Sequence, residues 1–187
     1  ANETLDEVAS REYLDGIPVT EIVKMDKPIH GITQISKDYD ADLIVMGSHG
    51  SSGVEELLIG SNTEKVVRNS EIPVLVIKKN IPNFSAFDIV FASDFSEEAK
   101  KPFEKLLNFT KSFDSKLHLV TICTPNSFKP THVIEKIMSD FIAEFDIPNY
   151  TTQIYNDTNI EKGIINFANR INADIIGMWT QGRTGFA

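Results

Sequence analysis

Residues 31–53 of this chain come back at 163–185. With Asp42 set against Asp174, 132 positions on, a match runs both ways. Gly31 meets Gly163, Ile32 meets Ile164, Ala41 meets Ala173, Ile44 meets Ile176 and Met46 meets Met178. Beyond the strand, Gly50 meets Gly182 and Gly53 meets Gly185. Identities held in one register across a helix, a strand and a loop predict a tandem duplication of one small domain. Whatever fold is chosen, about half of a 187-residue chain must be able to build it.

The order of elements narrows that fold. In the first half, strand candidates at 19–25, 42–47 and 73–79 are separated by helical stretches at 29–39 and 61–70. After a lapse at 80–87, rich in Asn, Pro and Ser, the pattern restarts. Strands are expected at 87–94, 116–124, 150–156 and 173–180. Helices are expected at 97–113, 131–146 and 160–172. The helix at 97–113 places Phe103, Leu106, Leu107 and Phe113 on one side, and Pro102 delays its regular start. The one at 131–146 spaces Ile134, Ile137, Met138, Phe141, Ile142 and Phe145 as a buried face. Strands alternating with single helices imply βαβ units and right-handed crossovers. Runs that are apolar at every position, 43–46 and 74–77, suit strands covered on both faces. The expected class is therefore a doubly wound parallel α/β fold of two tandem repeats. Residues 1–79 form the later part of the first copy, 80–86 a linker, and 87–187 a second copy without its last helix and strand. The opening segment, without an initiator Met, reads as the inside of a helix closing at Gly16, so both ends are expected to be incomplete.

Composition excludes some functions. A net charge of −9 repels nucleic acid and anionic membrane surfaces. Cys123 is the single cysteine, so no internal disulfide forms and a reducing, cytoplasmic setting fits. No apolar run approaches the roughly 20 residues of a membrane helix. No His or Cys spacing suits a metal.

One loop carries chemistry. "DLIVMGSHGSSGVEELLIGSN" (42–62) breaks from a stiff apolar run into Gly47, Gly50 and Gly53, then reaches Gly60-Ser61. Several glycines behind a strand suggest backbone N–H groups turned toward an anion. "Ser61-Asn62-Thr63-Glu64" reads as a capping box opening a helix, whose positive end is a second anion-binding element. A tight strand-to-helix turn is the plainer alternative. The pattern is neither GxxxxGK[ST] nor GxGxxG, and no G-x-S-x-G elbow surrounds Ser51 or Ser52. No lysine or arginine lies between Gly47 and Glu64, so binding is supported and fast phosphoryl transfer is not.

At this point the residues resemble a known family. "Gly47-x-x-Gly50", nine residues, then "Gly60-Ser61" looks like the G-2x-G-9x-G-[S/T] nucleotide motif of the universal stress proteins. "DADLIVMGSHG", "IPVLVIKK" and "FDIVFASDFSEEA" resemble that family's strands. The resemblance implies a five-stranded, Rossmann-like sheet of the adenine nucleotide alpha hydrolase-like type. It further implies ATP, with Mg²⁺ or Mn²⁺, and pairing through the last strand of each domain, either in a homo-oligomer or within the tandem. Gly47, Gly50, Gly60 and Ser61 would contact phosphates and ribose, and Asp94 would line the adenine–ribose side. The candidate nucleotide-binding set is Gly47, Ser48, His49, Gly50, Gly53, Gly60, Ser61, Asn62 and Asp94, with no catalytic residue. In the second copy Trp179 stands where Gly47 does, which would block or redirect a triphosphate.

Other residues read more plainly. His49 is a solvated loop histidine rather than a base. Lys65 and Arg68 lie on a solvated helix face, within reach of a phosphate. Asp94 and Ser96 equally suit a turn or a ligand contact. Trp179 packs at a strand end or stacks on a base, and Cys123 is an inert core thiol. The leading function is an ATP-binding stress-response regulatory or sensing module. A dimerisation module with no nucleotide is the alternative, and a weaker third is an adenylating enzyme.

Overall fold

The computed structural model describes residues 2–48, 60–78 and 80–179, without the side chains of residues 2–4. The chain divides into two compact units, 1–78 and 79–187. Among the described residues no helix is long and apolar enough to cross a membrane.

In the first unit, helix α1 (Asn2–Ala9) leads to a short turn, Glu12–Leu14. Helix α2 (Pro28–Asp38) starts on a proline, whose missing N–H and fixed φ suit a first helical turn. Strand β1 (Ile44–Gly47), helix α3 (Ser61–Asn69) and strand β2 (Val74–Ile77) follow. β1 and β2 pair in parallel, Ile44 opposite Val74 and Gly47 opposite Ile77. Ile44 and Val66 are buried, while Val45 is 60% exposed. The expectation that 43–46 is covered on both faces fails here, and 74–77 is only half-buried. No strand forms at 19–25 either. Val19, Ile22, Val23 and Met25 are exposed, and no neighbouring strand among the described residues takes their backbone groups.

The second unit is built on strands β3 (Asp88–Ala92), β4 (Lys116–Cys123), β5 (Tyr150–Asn156) and β6 (Ile175–Met178). All pair in parallel, in the order β5-β4-β3-β6. Helix α4 (Lys100–Lys111) and helix α5 (Thr131–Ile142) cover one face. Helix α6 (Ile160–Arg170) covers the other. This is the doubly wound arrangement, and it explains why β3 is buried on both sides. Alternation along it sends Ile89 and Phe91 to the α4–α5 face, and Val90 and Ala92 to the α6 face. The first face is aromatic: Phe103 packs on Phe91 at 4.8 Å, on Phe145 at 4.9 Å and on Phe141 at 5.2 Å between centroids. Each such ring contributes roughly 1.5–3 kcal/mol by burial, and edge-on pairs add about 0.5–1.5 kcal/mol.

Several boundaries differ from those expected. α4 begins at Lys100, after a 3-10 turn over Glu97–Ala99, and stops short of Phe113, which is 42% exposed. α5 ends at Ile142, so Phe145 reaches the core from the following turn rather than from the helix. Asp88 and Ser85 at the entry to β3 are clamped by Asp174. Its Oδ2 accepts from Ser85 Oγ (2.9 Å), Phe87 N (2.9 Å) and Asp88 N (3.0 Å).

The duplication survives in the hydrogen bonds. α2 and α6 occupy equivalent positions, 28–38 and 160–170. Each is followed, at the matching position, by a left-handed residue, Asp40 (φ 49°) and Asn172 (φ 52°). Ala41 N donates to Ser36 O at 2.9 Å, and Ala173 N to Ala168 O at 2.9 Å. The paired glycines differ, however. A Cβ on Gly163 would lie 2.5 Å from Ile122 Cγ2 and 3.1 Å from Asp157 Cβ, whereas one on Gly31 would meet nothing nearer than 3.8 Å.

Two predictions follow from this packing. Gly31→Ala gains helix propensity, about 1 kcal/mol, and is expected to stabilise its unit. Gly163→Ala meets an overpacking cost of roughly 1–3 kcal/mol and is expected to destabilise. Urea unfolding of both variants checks this, with the single tryptophan, Trp179, reporting the second unit. Equal shifts in the same direction would refute the close contact at Gly163. For Asp174, desolvation raises the carboxyl pKa, but the bonds from Asp88 N, Ser85 and Phe87 N outweigh it and hold it below the ordinary value. A depressed carboxyl pKa contributes stability above the unfolded value, about 3.9, and loses it as pH falls through the folded one. The stability gap between wild type and Asp174→Asn is therefore expected at pH 7 and should shrink below about pH 4. A gap that stays constant between pH 7 and pH 3 would contradict the clamp.

Candidate functional site

In open α/β sheets, ligands sit beyond the carboxyl ends of the strands, where strand order reverses. The two-stranded sheet of the first unit offers the carboxyl ends of β1 and β2. Gly47 is the last residue of β1, opposite Ile77. Ser48 continues the pairing: its N–H donates to Ile77 O at 2.9 Å, and its carbonyl accepts from Gly60 N at 2.7 Å. Ser48 is buried, with 2% exposure. The Ser48 and Gly60 amides are thus turned inward, not toward a ligand as expected. His49, Gly50 and Gly53 lie outside the described residues.

The helix start also differs from the expected capping box. Gly60, not Ser61, is the N-cap of α3, and no side chain caps the helix. Glu64, the expected reciprocal cap, instead pairs with Arg68 at 2.9 Å. An i,i+4 ion pair competes for the same carboxylate, and Gly60 brings no oxygen to bond N2 or N3. Glu64 N closes the first helical bond on Gly60 O at 3.0 Å. The first-turn amides of Ser61, Asn62 and Thr63 consequently have no acceptor among the described residues. Gly60 has φ −58°, ψ 144°, a conformation open to any residue, so what glycine supplies there is the absence of a side chain. Ser61 and Asn62 are exposed at this helix start.

Thr63 is the residue that motif reading passed over. It is buried, and its Oγ1 donates to Gly47 O at 3.0 Å. That bond ties the end of the strand to the first turn of α3 and holds the bare amides beside Gly47. A hydroxyl at the third helical position with its side chain turned back onto the strand was the available signal. Lys65 is exposed, and Arg68 is engaged by Glu64.

In the second unit the order reverses between β3 and β6, which places Asp94 and Trp179 at adjacent strand ends. Asp94 is exposed and its Oδ1 accepts from Ser96 N at 3.1 Å, a turn role; Oδ2 has no partner among the described residues. Ser93 Oγ accepts from Phe95 N at 2.9 Å, holding Phe95 at φ 56° with its ring in the core. Ser96 Oγ is buried without a partner among the described residues. Trp179 packs against the α4–α5 core rather than standing clear of it. Cys123 is buried at the end of β4.

The carboxylate of Asp157, beyond β5, accepts from Asn166 Nδ2 (2.8 Å) and Thr158 N (2.6 Å). The Asn166 bond chiefly holds its pKa below the ordinary value. Among the described residues no cluster of three His, Cys, Asp or Glu side chains could hold a metal.

Comparison with known proteins agrees with this architecture. Residues 1–78 match the Universal stress protein family. Universal stress protein MJ0577 of Methanocaldococcus jannaschii is 42% identical over 64 residues, 34% of this chain and 40% of that protein. Universal stress protein MJ0531 of the same organism is 43% identical over 68 residues, 36% of this chain and 34% of that protein. The crystal structure of a universal stress protein from Archaeoglobus fulgidus superposes with a TM-score of 0.74 at 26% identity, covering 99% of this chain and 66% of that one. The chain thus spans well under half the length of these two curated relatives.

Proposed function

From the match of residues 1–78 to the Universal stress protein family, we propose that this chain is a member of that family and binds ATP as a stress-response regulatory or sensing module. The supporting observation is the uncapped start of α3. Ser61, Asn62 and Thr63 offer N–H groups with no acceptor among the described residues, at a positive helix end fixed to Gly47 by Thr63. These residues fit an anionic phosphate chain. The ligand contacts fall to Gly47, Ser61 and Asn62, together with the loop residues His49, Gly50 and Gly53. Ser48 and Gly60 act as the frame that sets the helix start. Asp94 Oδ2 offers the second repeat an acceptor suited to a ribose hydroxyl. Mg²⁺ or Mn²⁺ would arrive with the nucleotide. The module senses rather than turns over, because no cation stands between Gly47 and Glu64 to stabilise a transferring phosphoryl group. A cytoplasmic, oligomeric protein fits this reading.

A second reading, a dimerisation module that binds no nucleotide, is favoured by the inward Ser48 and Gly60 amides and by Trp179 in the core. Ser61→Asp separates the two. Its carboxylate would sit on the bare amides, stabilising α3 by about 0.3–1 kcal/mol while excluding phosphate. Losing charge-assisted hydrogen bonds of roughly 1.5–3 kcal/mol is expected to weaken ATP about 10- to 100-fold in calorimetry. Unchanged ATP affinity in the folded variant, or no ATP binding by the wild type, would sink the nucleotide reading.

A further inference from the structure

We propose that β5 is a self-pairing edge, through which two copies of the chain join antiparallel about a two-fold axis at Gln153. The inference is independent of the nucleotide reading. β5 stands at the end of the order β5-β4-β3-β6, with no strand beyond it among the described residues. Leu117 N donates to Asn149 O and Asp157 N to Cys123 O, each at 3.0 Å. In a parallel ladder this parity points the odd residues of β5 toward β4. Tyr150, Thr152, Ile154 and Asn156 therefore present N–H and C=O to the open side. One of these groups, Ile154 O, is met by the neighbouring side-chain amide, Gln153 Nε2, at 3.1 Å.

Exposed edges normally carry charges that forbid pairing. The two repeats differ on this point. At the 132-residue offset, "YTTQIYN" (150–156) aligns with "PVTEIVK" (18–24), and the register is fixed by Thr20 with Thr152 and Ile22 with Ile154. The first copy carries Glu21 and Lys24 where β5 has Gln153 and Asn156. The whole stretch 147–156 has no charged residue in a chain of which 24% is charged. The copy that forms the edge strand is the one without the guard.

The strand that best fits this edge is its own copy. At net charge −9 two chains repel, and a neutral seam is where they can close. Parity requires even residues opposite even ones. A two-fold at Gln153 satisfies this, placing Tyr150 opposite Asn156 and Thr152 opposite Ile154, so every open backbone group gains a partner. On the α5 side a groove of about 800 Å³ lies between Ile134, Met138 and Ile142 of the helix and Thr152 and Ile154 of the strand. It leaves room for the opposing side chains.

Sedimentation over a concentration series, with Gln153→Glu and two cysteine variants, tests the proposal. The wild type is expected to associate. Gln153→Glu restores the first copy's residue and sets two carboxylates face to face, so association should weaken at least about tenfold with the circular dichroism unchanged. At the two-fold, facing Cα atoms would be about 4.5 Å apart, within disulfide reach. Gln153→Cys should therefore cross-link to itself under oxidised glutathione. Thr151→Cys should not, because it faces Tyr155. A wild type that stays at the single-chain mass, an association step indifferent to Gln153→Glu, or equal cross-linking of both cysteine variants would overturn it.

Discussion

Everything in the second unit hangs on one constraint: a parallel strand finds its hydrogen-bond partners far away in sequence, and both its faces must then be covered. β3 meets the constraint fully. It is paired on both edges by β4 and β6, and it is buried on one face by α4 and α5 and on the other by α6. Asp174, arriving 86 residues after Asp88, clamps its entry. The reversal of strand order beside β3 brings Asp94 and Trp179 to adjacent strand ends, so their proximity follows from the pairing rather than from any local signal.

The first unit shows the same chemistry with fewer partners. Among the described residues β1 pairs with β2 alone and leaves Val45 exposed, while the segment that matches β5 is exposed and pairs with no described strand. Local motifs are indifferent to this. The helix ends at Asp40 and Asn172 repeat bond for bond, because a left-handed residue and a backbone return need only their own helix. Equivalent helix ends thus take the same local structure even where their residues differ, and the sheet around them decides what is buried.

The candidate site illustrates how a motif and its geometry part company. Gly47, Gly60 and Ser61 could be marked from spacing, and they do gather where β1 meets α3. The role of each depended on who bonds whom. Ser48 and Gly60 spend their amides on the frame, Arg68 draws Glu64 away from the cap, and Thr63 is the hydroxyl that fastens helix to strand. The donors without an acceptor among the described residues are those of Ser61, Asn62 and Thr63. None of these assignments is written in the residue types, since any of several oxygens nearby could have taken the same protons.

From sequence alone came the duplication, the alternation of strands and helices, and the parallel α/β class, all of which rest on periodicity and on residues repeated in register. The buried faces of α4 and α5 were legible for the same reason. Strand formation at 19–25, double coverage of 43–46, the helix ends near Phe113 and Phe145, and the cap of α3 were decided only in three dimensions. Each depends on a partner supplied by distant chain: a neighbouring strand, a covering helix, or a competing ion pair. Periodicity records what a segment can bury or bond, and tertiary structure determines whether the partner is there.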